Sequence, residues 1–196
     1  MEEEPKRIYG SRRDHKQTRL LSGERVNKDN EYVHACGALD ELQSHLGLAR
    51  SLNKQDPIGS ILYAIQRDIM VAASELASGS RTAHRLTRRI DGEDVLRLET
   101  WIDDLAESFG MPEGFVVPGS STESAALHVA RAVARRCERI IVRLSRKKGG
   151  YDRLVAYLNR LSDLLFVAAW SREVTTELES IVRLAIVRGP GEENVP

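Results

Sequence analysis

Arg131, Arg135 and Glu138 stand at i, i+4 and i+7, which puts two guanidiniums and a carboxylate on one face of a helix. Two guanidinium forks on a rigid face suit an anion clamp, because each matches carboxylate or phosphate in shape and charge. The plainer reading is an intrahelical ladder of salt bridges. A second row, Asn159, Ser162, Asp163 and Phe166, keeps the same period, and Asp40 directly follows the apolar Leu39. Asn159 fits either a hydrogen bond across a bundle or contact with a ligand. Near the amino terminus, "IYGSRRDHKQTRLLSGERV" (residues 8–26) sets Arg12, Arg13, Lys16 and Arg19 against Asp14. That stretch has the grammar of a phosphate-binding loop but the wrong letters for one, and a basic loop alone is usually a solvated surface segment. In "GFVVPGSS", Phe115 beside the Pro118-Gly119 turn either belongs to a packed connector or walls a cavity.

These residues need a scaffold, and apolar periodicity supplies one. Ala35, Leu39, Leu42, Leu46 and Ala49 recur at alternating spacings of four and three, as do Ile58, Leu62, Ile65, Ile69, Ala72 and Leu76. Val95, Leu98, Ile102 and Leu105 form a third set, Leu127, Ala130, Ala134, Cys137, Ile141 and Leu144 a fourth, and Leu154, Leu158, Leu161, Leu165 and Ala168 a fifth. Each set predicts a helix with one buried stripe. Capping residues agree: Asp29 or Asn30 before the first helix, Asp56-Pro57 at the second, and Ser120 or Ser121 before the fourth. The fold class is therefore all-α, an antiparallel five-helix bundle over residues 31–186. Residues 1–30 show no period and are expected to be a loop or arm, with the "EEEPK" start disordered. Residues 187–196 are expected to form a tail.

Composition narrows the function. Lys plus Arg and Asp plus Glu both number 29, so no net field draws the chain to nucleic acid or an anionic membrane. The basic stretch also lacks the interleaved aromatics of a single-strand binder. No apolar run approaches a membrane span, and a soluble cytoplasmic protein is expected. Cys36 and Cys137 have no metal or disulfide spacing and are expected to pack as small apolar residues, while His45 and His128 face inward by spacing.

"IYxxxxDxxxTxLLxGERVxKDN", "GALDELQSHLGLAR", "GFVVPGSSTESAALHVARAVARRCER" and "YLNRLSDLLFVAAW" resemble, in order and spacing, the PduO-type corrinoid adenosyltransferases, over about residues 8–170. The resemblance implies a five-helix bundle assembled as a homotrimer with sites between subunits. It implies transfer of the 5′-deoxyadenosyl group of ATP to the cobalt of a reduced corrinoid such as cobalamin, with Mg²⁺ and release of triphosphate. A reductase and an adenosylcobalamin-dependent enzyme would be its partners. On this pattern Arg131 and Arg135 match nucleotide-site arginines, Glu138 the carboxylate beside them, and Asn159 the nucleotide-recognising asparagine. Asp40 matches the acid that pairs with the Arg131 position across the subunit interface, and Phe115 the aromatic under the corrin. The family's loop reads Thr-x-Thr-Gly-Asp-x-Gly-x-Thr. Here Arg13 and Lys16 replace both glycines, while Asp14, Thr18 and later Lys28 remain as family-like nucleotide contacts. Ser22 and Gln43 stand where a Gly and an Asn are usual. Two functions follow: a transferase whose loop holds triphosphate through Arg and Lys side chains, or a non-catalytic relative that binds a corrinoid or a partner protein.

Overall fold

The computed structural model describes residues 16–54, 57–82 and 85–188. Five helices follow a short hairpin: α1 (Glu31–Leu52), α2 (Ile58–Thr82), α3 (Gly92–Phe109), α4 (Thr122–Lys148) and α5 (Asp152–Arg188). Every residue of the first, second, fourth and fifth apolar sets is buried, and so are Leu98 and Leu105 of the third. Val95 and Ile102 are half-buried, because α3 lies at the bundle's margin against α5. Successive helices alternate in direction. The bundle is ordered α2, α1, α4, α5, α3, and closes where Arg97 of α3 meets Asp68 of α2 at 2.6 Å.

Caps set the helix ends. Asn30 accepts from the Tyr32 amide at 2.9 Å, and Ser121 accepts from the Ser124 amide at 3.1 Å. Asp91 and Asp94 form a reciprocal capping box at α3. Gly149 stops α4 with φ +73, a left-handed conformation suited to glycine, while its amide still donates to Ser145 O at 2.7 Å. The Asp56 expectation lies outside the described residues.

One finding differs from the sequence reading. Gln17–Arg19 (β1) and Arg25–Asn27 (β2) pair antiparallel, with Thr18 opposite Val26, where an arm without regular structure was expected. The strands are too short to show a period-2 signal, and the turn is set by Gly23 at φ +81. Buried Leu20 and Val26 anchor the hairpin, and the Leu21 amide donates to Ala77 O at the end of α2. At the other end of the chain, α5 runs as one helix to Arg188. Its last three turns expose Leu178, Ile181, Val182, Leu184 and Ile186, so no buried stripe marks them in the sequence. No helix among the described residues is long and apolar enough to cross a membrane.

Candidate active site

Arg131 and Arg135 project from α4 into a cleft of about 390 Å³ floored by α5 and walled by α3. The sequence's second row arrives at the same place, since Ser162, Asp163 and Phe166 line it too. The salt-bridge ladder does not form. Arg131 Nε donates instead to His128 Nδ1 at 3.4 Å, and among the described residues no carboxylate pairs with Arg135. Arg160 on the opposite wall is already engaged, with Glu99 at 3.0 Å and Asp163 at 2.8 Å. Two guanidiniums that lack carboxylate partners therefore face one cleft, the arrangement that accepts an anionic ligand.

One turn further along, Asn159 Nδ2 donates to Glu138 Oε1 at 3.2 Å, joining α5 to α4. This is the cross-bundle hydrogen bond read from spacing. Both side chains stay accessible, because Asn159 is exposed and Glu138 half-buried, so neither is sealed from a ligand.

A second cleft, about 500 Å³, opens beside the α3–α4 connector. Its walls are Met111, Phe115, Val116 and Val117 on one side and Trp170 and Glu173 of α5 on the other. Phe115 is 108% exposed, its ring presented with no packing beneath it, and Val117 is also exposed. An unsupported aromatic at the mouth of an apolar cleft suits a flat hydrophobic ligand.

His128 lies between the two clefts. It is 6% exposed and meets the Phe166 ring edge-on, with centroids 6.2 Å apart. Burial first, and then the Arg131 charge, push its pKa below the ordinary imidazole value, against an upward pull from Glu173. His45, by contrast, is only half-buried. Cys137 is buried, and burial raises its thiol to about 12; burial likewise raises Cys36. Both pack as expected.

Asp40, Thr18 and Lys28 do not line either cleft. Asp40 is exposed on α1, and among the described residues its carboxylate meets no partner. Thr18 is half-buried and Lys28 exposed on the hairpin. The hairpin stands at the end where α1 begins and α4 finishes, marked by the Lys147–Glu31 ion pair. Arg131 lies sixteen residues back from Lys147 along α4, about 24 Å at 1.5 Å per residue. Arg12, Arg13 and Asp14 lie outside the described residues. Sequence reasoning missed Trp170 and Glu173 as lining residues. They stand four and seven residues after Phe166, so the same helical period contained the signal.

Residues 8–172 match the family model described as Cobalamin adenosyltransferase. A corrinoid adenosyltransferase of Citrobacter freundii is 40% identical over 172 residues, covering 88% of this chain and 98% of that protein. Corrinoid adenosyltransferase PduO of Salmonella typhimurium is 34% identical over 176 residues; these cover 90% of this chain and 52% of that protein, so the chain spans about half its length. Among solved structures, a phenylalanine-to-alanine variant of a PduO-type ATP:corrinoid adenosyltransferase from Lactobacillus reuteri, complexed with cobalamin and ATP, superposes with a TM-score of 0.79 at 29% identity. The match covers 87% of this chain and 96% of that one.

Proposed function

We infer the activity from membership: the chain belongs to the cobalamin adenosyltransferase family, and it transfers the 5′-deoxyadenosyl group of ATP to the cobalt of a reduced corrinoid, releasing triphosphate. Reduced cobalt is the nucleophile, so the protein need not supply one. Its residues must hold two substrates in line and neutralise the leaving triphosphate.

The observation that carries the reading is the pair of guanidiniums, Arg131 and Arg135, turned into one cleft with no carboxylate partner among the described residues. There they take the anionic part of the nucleotide as planar forks, and Glu138 with Asn159 orients its neutral part by hydrogen bonds. Phe115 covers the lower face of the corrin ring, keeping water from the cobalt and favouring loss of the axial base. Mg²⁺ accompanies a nucleoside triphosphate in solution, but among the described residues no three His, Cys, Asp or Glu side chains cluster to cage it. The phosphates are then its main ligands, and no step is assigned to the ion.

The distance between hairpin and arginines bears on assembly. Arg131 lies about 24 Å along α4 from Lys147, at the other end of that helix from the hairpin, so one nucleotide is not expected to touch Thr18 or Lys28 and also Arg131 of the same protomer. The hairpin therefore serves the arginine face of a neighbouring copy, and a closed ring of three satisfies every site. Asp40, which meets no partner among the described residues of its own protomer, pairs with Arg131 of the next and shares that guanidinium with the nucleotide. Asp14 belongs with the hairpin contacts by sequence position. The protein works in the cytoplasm with a reductase that delivers the electron and an enzyme that takes the product.

The test is adenosylcobalamin formation from MgATP and chemically reduced cobalamin, followed by absorbance, with ATP binding measured by calorimetry. Product formation with micromolar nucleotide binding supports the reading. No heat at millimolar nucleotide, with the corrinoid still bound, points instead to the non-catalytic relative.

A further inference from the structure

The Arg131 side chain is held from behind by a line of buried polar groups. Its Nε donates to His128 Nδ1 at 3.4 Å, so Nδ1 acts as acceptor and the imidazole proton resides on Nε2. Nε2 is buried without a hydrogen-bond partner and faces Glu173 Oε1 at 3.5 Å. That same oxygen accepts from Ser124 Oγ at 2.6 Å. Ser124 belongs to the first turn of α4 and is wholly buried. The line therefore runs from Ser124 through Glu173 and His128 to Arg131. Glu173 lines the Phe115 cleft at one end, and Arg131 lines the arginine cleft at the other.

An arginine side chain has many rotamers, and fixing one in a cleft costs entropy each time a ligand binds. A fixed acceptor at Nε settles that choice in advance while leaving the terminal nitrogens of the fork free for a ligand. We propose that His128 is a positioning residue for adenosyl transfer: its neutral imidazole, protonated on Nε2 and braced by Glu173 and Ser124, fixes the Arg131 guanidinium toward the nucleotide. The inference rests on the reading of Arg131 as a nucleotide contact. Protonating Nδ1 removes the acceptor and sets an imidazolium against a guanidinium, so the brace exists only in the neutral form.

The charged groups acting on the ring are Arg131 from its own helix and Glu173 from α5. Burial leads in lowering the pKa, Arg131 adds to it, and Glu173 opposes it. The brace is intact at neutral pH and is lost as pH falls through a value below the ordinary histidine range. Removing the Glu173 charge moves that value lower still.

Four variants test this in the adenosylcobalamin assay, with kcat/KM for MgATP measured from pH 5 to 8. His128→Asn leaves an amide oxygen near the Nδ1 position, whereas His128→Gln reaches the Nε2 position and offers nothing to Arg131. Asn is expected within a few fold of wild type, and Gln to lose on the order of tenfold to a hundredfold, the scale of a misplaced contact group. Glu173→Gln keeps an acceptor for Ser124 and is expected to shift the acid limb to lower pH. Equal losses in Asn and Gln, or an unmoved acid limb in Glu173→Gln, overturn the proposal. Arg131→Ala separates the two levels. If it retains ATP affinity and turnover, the reading of the arginine cleft itself fails. If it loses both while the His128 pair stays level with wild type, only the brace is wrong.

Discussion

Phe115→Ala separates stability from function, because the ring supports nothing in the protomer. At 108% exposure it contributes no buried area to the fold, so its removal is expected to leave the melting temperature and urea midpoint unchanged, within about 0.5 kcal/mol. Its predicted contact lies with the corrin. Full burial of a Phe side chain is worth about 1.5–3 kcal/mol, and a flat ring covering another ring buries roughly one face. About 1–1.5 kcal/mol of corrinoid affinity is then at stake, or about fivefold to tenfold in Kd. ATP affinity should not change, since Phe115 lines the Trp170 cleft and not the arginine cleft. Titration of the Co(II) corrinoid in the presence of MgATP reads both affinity and the spectral signature of four-coordinate cobalt, which the variant should lose. A variant that melts early places Phe115 in the fold. One that keeps the four-coordinate signature removes it from the corrin face.

Asp68→Ala strips the hydroxyl of fully buried Tyr157 (2.9 Å) and Arg97 (2.6 Å) of their shared acceptor. It is expected to cost about 2–4 kcal/mol in urea unfolding, and a loss under 1 kcal/mol would show that the pair relaxes to other partners. Asp40→Ala should leave the protomer's helicity intact and loosen the oligomer by about 3 kcal/mol, the cost of stranding a charge at an interface. Unaltered assembly in sedimentation refutes that pairing. Because burial raises both thiols, and Cys137 to about 12, neither is expected to react with iodoacetamide at pH 8 until the chain is unfolded; rapid native labelling would contradict the packing.

The stripes that built the bundle were legible because helical burial repeats at intervals of three and four, and each core leucine announced its neighbours. The same period put Arg131 and Arg135 on one face of α4 and Phe166 on one face of α5, but that the two faces share a cleft depends on the packing. It did not reveal that His128 would take up the Arg131 Nε, since i, i+3 spacing permits a ladder, a brace or no contact, and only rotamers decide. The hairpin stayed hidden because three-residue strands have no measurable alternation and register depends on the Gly23 turn. At the exposed end of α5 helix propensity continues, while the buried stripe that marks the rest of the helix does not. Asp40 was singled out by its place after Leu39 and Lys28 by the family pattern, but the link of either to the arginines rested on that pattern alone, and within the described protomer no contact joins them.

The central claim is that one site draws its hairpin from one protomer and its arginine face from the next. Complementation between two defective variants tests it directly: Thr18→Ala with Lys28→Ala on the hairpin, and Arg135→Ala on α4. Each is assayed alone, then after mixed refolding at equal concentrations. If hairpin and arginines come from different copies, random assembly leaves both components intact in about one quarter of the sites, and adenosylcobalamin formation returns to about a quarter of the wild-type rate. If both components belong to one protomer, every site in the mixture carries a lesion and activity stays at the level of the separate variants, which would contradict the account.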